Sequence, residues 1–195
     1  LGGAAGSGGA DAGYKIERSL RFNVSDSTDL SKTFSSAGNR RTWTFSAWIK
    51  FCDPAGTSGI FECPYPGSGG TISNTFEVWY TLGQIHITDY GTYYFSSDAR
   101  LRDPSAWGHL VIRVDTTEGT QANRIRLYWN SEQLVNTVTP NINQNDELGV
   151  NGAALHKIGN WRGSTYANLY FAEIHHVDGQ SLDPTSFGEF DADTG

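Results

Sequence analysis

The sequence predicts an all-β fold, a jelly-roll sandwich of two antiparallel sheets. Three observations predict it. Apolar residues recur at every second position in short runs, the period of a half-buried strand. Clusters of Gly, Pro, Asn, Asp and Ser separate those runs, as tight strand connections require. The composition is rich in aromatics (13%), Thr and Ser and contains no Met, a bias toward strands over helices.

The elements follow in order. In residues 19–24, Leu20, Phe22 and Val24 share one face, with Arg21 and Asn23 on the other. Residues 41–51 place Trp43, Phe45, Ala47, Ile49 and Phe51 inward and Thr42, Thr44, Ser46, Trp48 and Lys50 outward. A loop at 53–59 leads to a partner run, 60–63, expected to pair back as a hairpin. Residues 64–70, with two Pro and three Gly, suit an irregular crossing that no strand could use. Phe76, Val78 and Tyr80 face in on the next strand while Glu77 and Trp79 face out. Gly83 turns the chain into a strand at 84–88, and 93–96 forms another. Leu110, Val111, Ile112 and Val114 mark a central strand ended by the turn at 115–119. In 124–129, Ile125, Leu127 and Trp129 alternate with Arg124, Arg126 and Tyr128, before an Asn130-Ser131 turn. Residues 141–151 read as a polar loop, 155–159 as a strand, 161–167 as a loop, and 168–178 as a closing strand. Only 183–187 could form a helical turn, with Pro184 acceptable at its start. The expected core includes Trp43, Phe45, Ile49, Leu110, Ile112, Val114, Leu127 and Ile174.

A length of 195 residues suits one sandwich domain at 14–195, preceded by a Gly-rich arm at 1–13. The arm has linker composition and is expected to pack outside its own sandwich, on another chain or a preceding domain. With Leu at position 1 and no Met, the chain is expected to belong to a longer protein. The net charge of −7 and the scattered Lys and Arg argue against nucleic-acid binding. No apolar run approaches the roughly 20 residues of a membrane-spanning helix. Cys52 and Cys63 flank the expected hairpin loop, so a bridge is open to them if the register cooperates. Free thiols are the expectation, as in proteins assembled in a reducing cytosol, and with no His nearby in sequence an ordinary zinc site is not expected.

The run Ala167-Asn168-Leu169-Tyr170-Phe171-Ala172-Glu173-Ile174-His175-His176-Val177-Asp178-Gly179-Gln180-Ser181-Leu182 resembles the closing strand and sealing turn of the laminin-G and pentraxin-like branch of concanavalin A-like sandwiches. Tyr170 or Asn168 stands where those proteins usually carry Gly. Arg18-Ser19-Leu20-Arg21-Phe22-Asn23 resembles their first strand, and Thr42-Trp43-Thr44-Phe45-Ser46-Ala47-Trp48-Ile49-Lys50 their Ser-Ala-Trp strand. With Trp107-Gly108-His109-Leu110-Val111 and Arg126-Leu127-Tyr128-Trp129-Asn130, the resemblance covers residues 16–190. The closing strand and the following Phe187-Gly188-Glu189-Phe190 look most like modules of tailed-bacteriophage virions. That resemblance implies a non-enzymatic virion module: a tail or head fibre domain, or a capsid decoration. Such a module would form a homo-oligomer, contact other virion proteins and display a lectin-like face for host-surface glycans. The alternatives are a cellular or secreted laminin-G or lectin-like carbohydrate-binding module and a sandwich-fold glycoside hydrolase.

The hydrolase needs two carboxylates on one face, about 5 Å apart for retention. Glu62, Glu77 and Glu173 each stand alone on their strands, so no catalytic residue is assigned. His175 and His176 are adjacent on a strand and point to opposite faces, which prevents shared chelation. No metal site is assigned; no cofactor is expected, although calcium, which relatives bind through loop oxygens, would find oxygen donors in 26–29, 115–118 and 141–147. Sugar binding asks for exposed aromatic faces beside hydrogen-bonding groups. Trp79, Tyr90, Tyr93, Tyr94, Trp161 and Tyr166 lie on outward strand phases or in polar loops and are the candidate ligand contacts.

Overall fold

A computed structural model describes residues 16–66, 75–89 and 91–188. The Gly-rich arm, Tyr90 and most of the crossing after Tyr65-Pro66 lie outside the described residues. The strands are β1 (Leu20–Phe22), β2 (Leu30–Thr33), β3 (Thr42–Phe51), β4 (Thr57–Pro64), β5 (Thr75–Thr81), β6 (Gln84–Asp89), β7 (Thr92–Ser96), β8 (Gly108–Asp115), β9 (Ile125–Trp129), β10 (Glu132–Gln133), β11 (Leu155–Ile158), β12 (Asn160–Trp161), β13 (Thr165–Tyr166) and β14 (Leu169–Asp178). The first sheet has the order β1-β14-β3-β8-β9-β10 and the second β2-β11-β4-β5-β6-β7, each antiparallel throughout. The two strands β12 and β13 form a separate hairpin. Helical structure among the described residues is confined to short 3-10 turns, one of them at Pro184–Ser186.

The expected β3–β4 hairpin does not form. β3 runs in the first sheet and β4 in the second, joined by a tight crossing at Asp53, whose side chain accepts the Ala55 N–H at 3.0 Å. The apolar phases of both strands need burial, and they meet face to face across the core instead of side by side. Phe45 stacks on Phe61 with centroids 5.5 Å apart, and Phe51 on Tyr80 at 3.8 Å. Trp43 meets Phe76 edge-on at 5.5 Å. Such offset and edge contacts add to the area each ring removes from water. Cys52 and Cys63 are free. The fold also brings to Cys63 a histidine distant in sequence, His156, whose Nε2 lies 3.1 Å from Sγ.

All the expected core residues are buried except Ile174, which is half-buried at the core margin. A β-bulge is the cause. Ala172 pairs with Trp48 but His175 pairs with Ser46, so Glu173 and Ile174 share one place opposite β3, with Glu173 at φ 47°. The extra residue inverts the inward phase. Leu169 and Phe171 face the core before it, and His176 faces the core after it, while His175 stays exposed. Two further expectations are corrected. Leu20 and Val24 are each 49% exposed, because β1 is a short edge strand and the Asn23 side chain caps a 3-10 turn starting at Val24. The stretch 141–151 is polar only on its outside: Ile142, Leu148 and Val150 enter the core. Arg124 anchors its start by donating from Nη1 to the Ile142 carbonyl at 2.7 Å.

The inward His176 ring packs between Trp43 and Phe61, each at a centroid distance of 5.9 Å. Its Nε2–H donates to Asn151 Oδ1 at 2.6 Å, and Asn151 Nδ2 donates on to Asp178 Oδ1 at 2.9 Å. Nδ1 is buried without a hydrogen-bond partner, so protonation there would place an unsatisfied N–H in the core. Burial, and secondarily His156 nearby, push the pKa of His176 down to about 4 against the opposing pull of Asp178. The unfolded chain therefore binds this proton more tightly than the native fold does. Stability from His176 should be full above pH 6.5 and fall with acid until about pH 4, a loss of about 3 kcal/mol. Urea unfolding at pH 7 and pH 4 should show this difference, and H176Q should reduce it by about that amount.

Candidate functional site

The outward face of the second sheet carries the site, and β5 provides its axis. Thr75, Glu77 and Trp79 alternate outward there while Phe76, Val78 and Tyr80 fill the core. Lateral pairing then sets out two rows. Lys157 on β11 is the partner of Glu62 on β4, Glu62 of Glu77 on β5, Glu77 of Thr88 on β6, and Thr88 of Tyr93 on β7. One step along, Trp79 is opposite His86, which is opposite Ser96. The first row is charged and the second aromatic.

The β12–β13 hairpin lies over this face. Its seat is Gly59: a Cβ there would come within 2.1 Å of the Asn160 carbonyl carbon, so only glycine permits the approach. Trp161 stacks on Trp79 with centroids 4.6 Å apart and planes 14° from parallel. Trp79 stacks in turn on His86 at 4.4 Å, and Tyr93 closes the group at 6.1 Å from Trp79 and 5.7 Å from His86. Trp79 is 8% exposed and serves as the middle of the stack, whereas Tyr93 is 42% exposed and Trp161 half-buried.

The charged row binds the same hairpin. Glu77 is fully buried and accepts from Arg162 Nε at 3.1 Å, from Arg162 Nη2 at 3.3 Å and from the Thr88 hydroxyl at 2.7 Å. Glu62 accepts the Arg162 backbone N–H at 2.7 Å and lies 3.5 Å from Lys157 Nζ. Burial holds the Glu62 carboxyl above its ordinary range, opposed by the Arg162 N–H and the Lys157 charge. Lys157 also reaches Asp29 at 3.8 Å, and Asp29 accepts from Asn160 Nδ2 at 3.1 Å. The Arg162 guanidinium sits 4.7 Å from the Trp161 ring centroid, which joins the charged row to the aromatic one. Beside Arg162 opens a cavity of about 120 Å³, lined by Glu62, Pro64, Thr75, Leu155, Lys157 and Arg162 among others.

Of the sequence candidates, Trp79, Tyr93 and Trp161 come together in this stack. Tyr94 does not: a bulge between Ile87 and Thr88 shifts the β6–β7 register, and Tyr94 joins the core cluster. Tyr166 is half-buried on β13 opposite Asn160. Tyr90 lies outside the described residues. Trp48 is on the opposite side of the molecule, stacked on His109 at 5.1 Å. Sequence reading missed Glu62, Glu77, Lys157 and Arg162. Its statement that the glutamates stand alone holds along each strand and fails across them, since Glu62 and Glu77 are direct neighbours. The available signal was a lone Glu on the outward phase of two otherwise apolar strands.

The oxygen-rich loops are engaged internally. Asp115 accepts from the Thr117 N–H and hydroxyl, Asp146 from the Asn143 N–H, and Glu147 pairs with Arg40 and Arg41. Among the described residues no three His, Cys, Asp or Glu side chains converge as metal ligands.

The charge network yields a stability test. Arg162→Ala leaves the buried Glu77 carboxylate without its cation and should cost about 3 kcal/mol in urea unfolding. Adding Glu77→Gln to that variant should recover more than half of the loss, because the amide carries no charge to strand.

No protein-family model and no curated protein sequence matches the chain. Solved structures share its fold. Domains LG4-5 of the mouse laminin α1 chain superpose with a TM-score of 0.55 at 16% identity, covering 85% of this chain and 43% of that one, so this chain spans under half of the laminin fragment. The SAP-like pentraxin of Limulus polyphemus gives 0.54 at 13% identity, covering 79% and 71%. The CBM40 of Ruminococcus gnavus IT-sialidase, in a structure bound to α2,3-sialyllactose, gives 0.50 at 15% identity, covering 80% of this chain and 95% of that one. The fold is thus the concanavalin A-like sandwich common to laminin-G, pentraxin and CBM40 domains.

Proposed function

We propose that this chain is a non-enzymatic glycan-binding module that takes its ligand on the outward face of the second sheet. Trp161 and Tyr93 supply the apolar contact, and the cavity beside Glu62, Lys157 and Arg162 supplies the hydrogen bonds. The observation that carries this reading is the adjacency of the two on one face, joined through the Trp161–Arg162 contact. A sugar ring presents C–H groups on one side and hydroxyls at its rim, so it needs an aromatic plane and a polar wall together. The sialyllactose held by the CBM40 of Ruminococcus gnavus IT-sialidase supports a saccharide ligand on this fold.

A binding role is favoured over hydrolysis by the state of the two acids. Both Glu77 oxygens are hydrogen-bonded to Arg162, one of them to Thr88 as well, and one Glu62 oxygen is held by the Arg162 backbone. A carboxylate clamped by a guanidinium is a poor nucleophile, and glycoside hydrolysis needs two working carboxyl groups. Trp161→Ala should weaken glycan binding about tenfold or more in calorimetric titration, since losing one stacking partner is worth about 1.4 kcal/mol. Trp48→Ala, on the opposite face, should leave the affinity unchanged; equal losses in both variants would reject this face as the site.

The biological setting proposed is a virion, as a tail or head fibre domain or a capsid decoration that assembles with its own copies and with other virion proteins. Its support is the closing-strand resemblance alone. Co-sedimentation of the chain with capsid or tail particles is the expected result. Recovery with cell-surface or secreted material instead would select the cellular lectin-like alternative.

A further inference from the structure

We propose that the site selects uncharged sugars over sugars that carry a carboxylate or sulfate, an inference that rests on the glycan-binding reading above. The cluster under the hairpin holds three carboxylates, Asp29, Glu62 and Glu77, against two cations, Lys157 and Arg162. Its formal charge is therefore −1, the difference of those two counts.

Both cations are also already ion-paired. Arg162 directs Nε and Nη2, one bidentate edge of its guanidinium, at the fully buried Glu77, which neutralises its charge. Lys157 is placed between Asp29 and Glu62. An anionic sugar entering the cavity would meet neutralised cations and the Glu62 carboxylate at close range, in a setting where burial weakens screening. It would also give up its own hydration there without gaining a free counter-charge.

A hydroxyl group suits the same atoms. It both donates and accepts, so it can give its proton to a Glu62 oxygen and receive an N–H from Lys157, whose ammonium carries three donors. Pro64 and Leu155 supply apolar wall beside those groups, which fits the C–H edge of a sugar and offers nothing to a charge. The cavity volume of about 120 Å³ admits the polar edge of one ring, with the rest of the sugar left against the aromatic stack.

The test is calorimetric titration of the full chain with two sets of glycans. The neutral set is lactose, cellotetraose, xylotetraose and mannotetraose. The charged set is α2,3-sialyllactose, tetragalacturonate and a sulfated lactose. The best neutral ligand should bind about tenfold or more tightly than any charged one, a ratio equivalent to 1.4 kcal/mol. A charged glycan binding as tightly as the best neutral one would overturn the selectivity and leave the glycan-binding reading standing. No binding in either set would overturn the glycan-binding reading itself. Removing one acid tests the cause: Glu62→Gln should shrink the neutral-to-charged ratio severalfold, and Asp29→Asn, which removes the other acid beside Lys157, should shift it the same way. An unchanged ratio in both folded variants would sink the electrostatic explanation.

Discussion

Two glutamates face each other across β4 and β5 on a sheet face that the chain then covers, and much of the second sheet is arranged around that constraint. Buried carboxylates directly opposite one another repel, and each loses its hydration. The structure offsets this with a guanidinium and a backbone N–H from the β12–β13 hairpin, an ammonium from β11 and a hydroxyl from β6, all of them from outside β4 and β5. Arg162 contributes both its side chain and its main chain, so the hairpin that carries it is tied down at two points. Once tied, that hairpin sets Trp161 flat on Trp79. The aromatic platform is thus a consequence of the charge pairing beside it.

The first sheet meets a comparable demand by geometry. The bulge in β14 adds one residue and turns the strand over, so that an apolar phase ending at Phe171 resumes as His176. A histidine in that place needs a partner within the core, and Asn151 provides it from a loop that also feeds Ile142, Leu148 and Val150 into the interior. Asn151 binds Asp178 and the Asn39 carbonyl as well, which links the closing strand to the entry of β3. The outward side of this sheet is treated differently. Thr44 accepts the Leu182 N–H and donates to the Gln180 carbonyl, and Phe187 packs beside His109 and His175, so the tail after β14 folds back over the polar phase of β3. The exposed aromatic group with a cavity next to it belongs to the second sheet.

Period-two alternation alone determined the longer strands, most of their inward faces and the all-β class, because a pleated strand with one buried side imposes its pattern on every second residue; the short β2, β10, β12 and β13 were not legible in it. Trp43, Phe45, Ile49, Phe76, Val78, Tyr80, Ile112 and Leu127 were legible as core for that reason. The outward placement of Trp79 and Glu77 was equally legible. Sequence could not decide which strand lies beside which. That choice depends on apolar faces meeting across a sandwich, and it put β4 opposite β3 instead of next to it. Nor could it show the β14 bulge, since one inserted residue leaves the local composition unchanged while it turns His176 inward and leaves Ile174 at the core margin. The candidate site was half legible. Its aromatic members carry a local signature, an outward large side chain, but its charged members acquire meaning only as cross-strand neighbours. The acids Glu62 and Glu77 are far along the chain from the cations Lys157 and Arg162, and only tertiary packing brought the two pairs close enough for their charges to require one another.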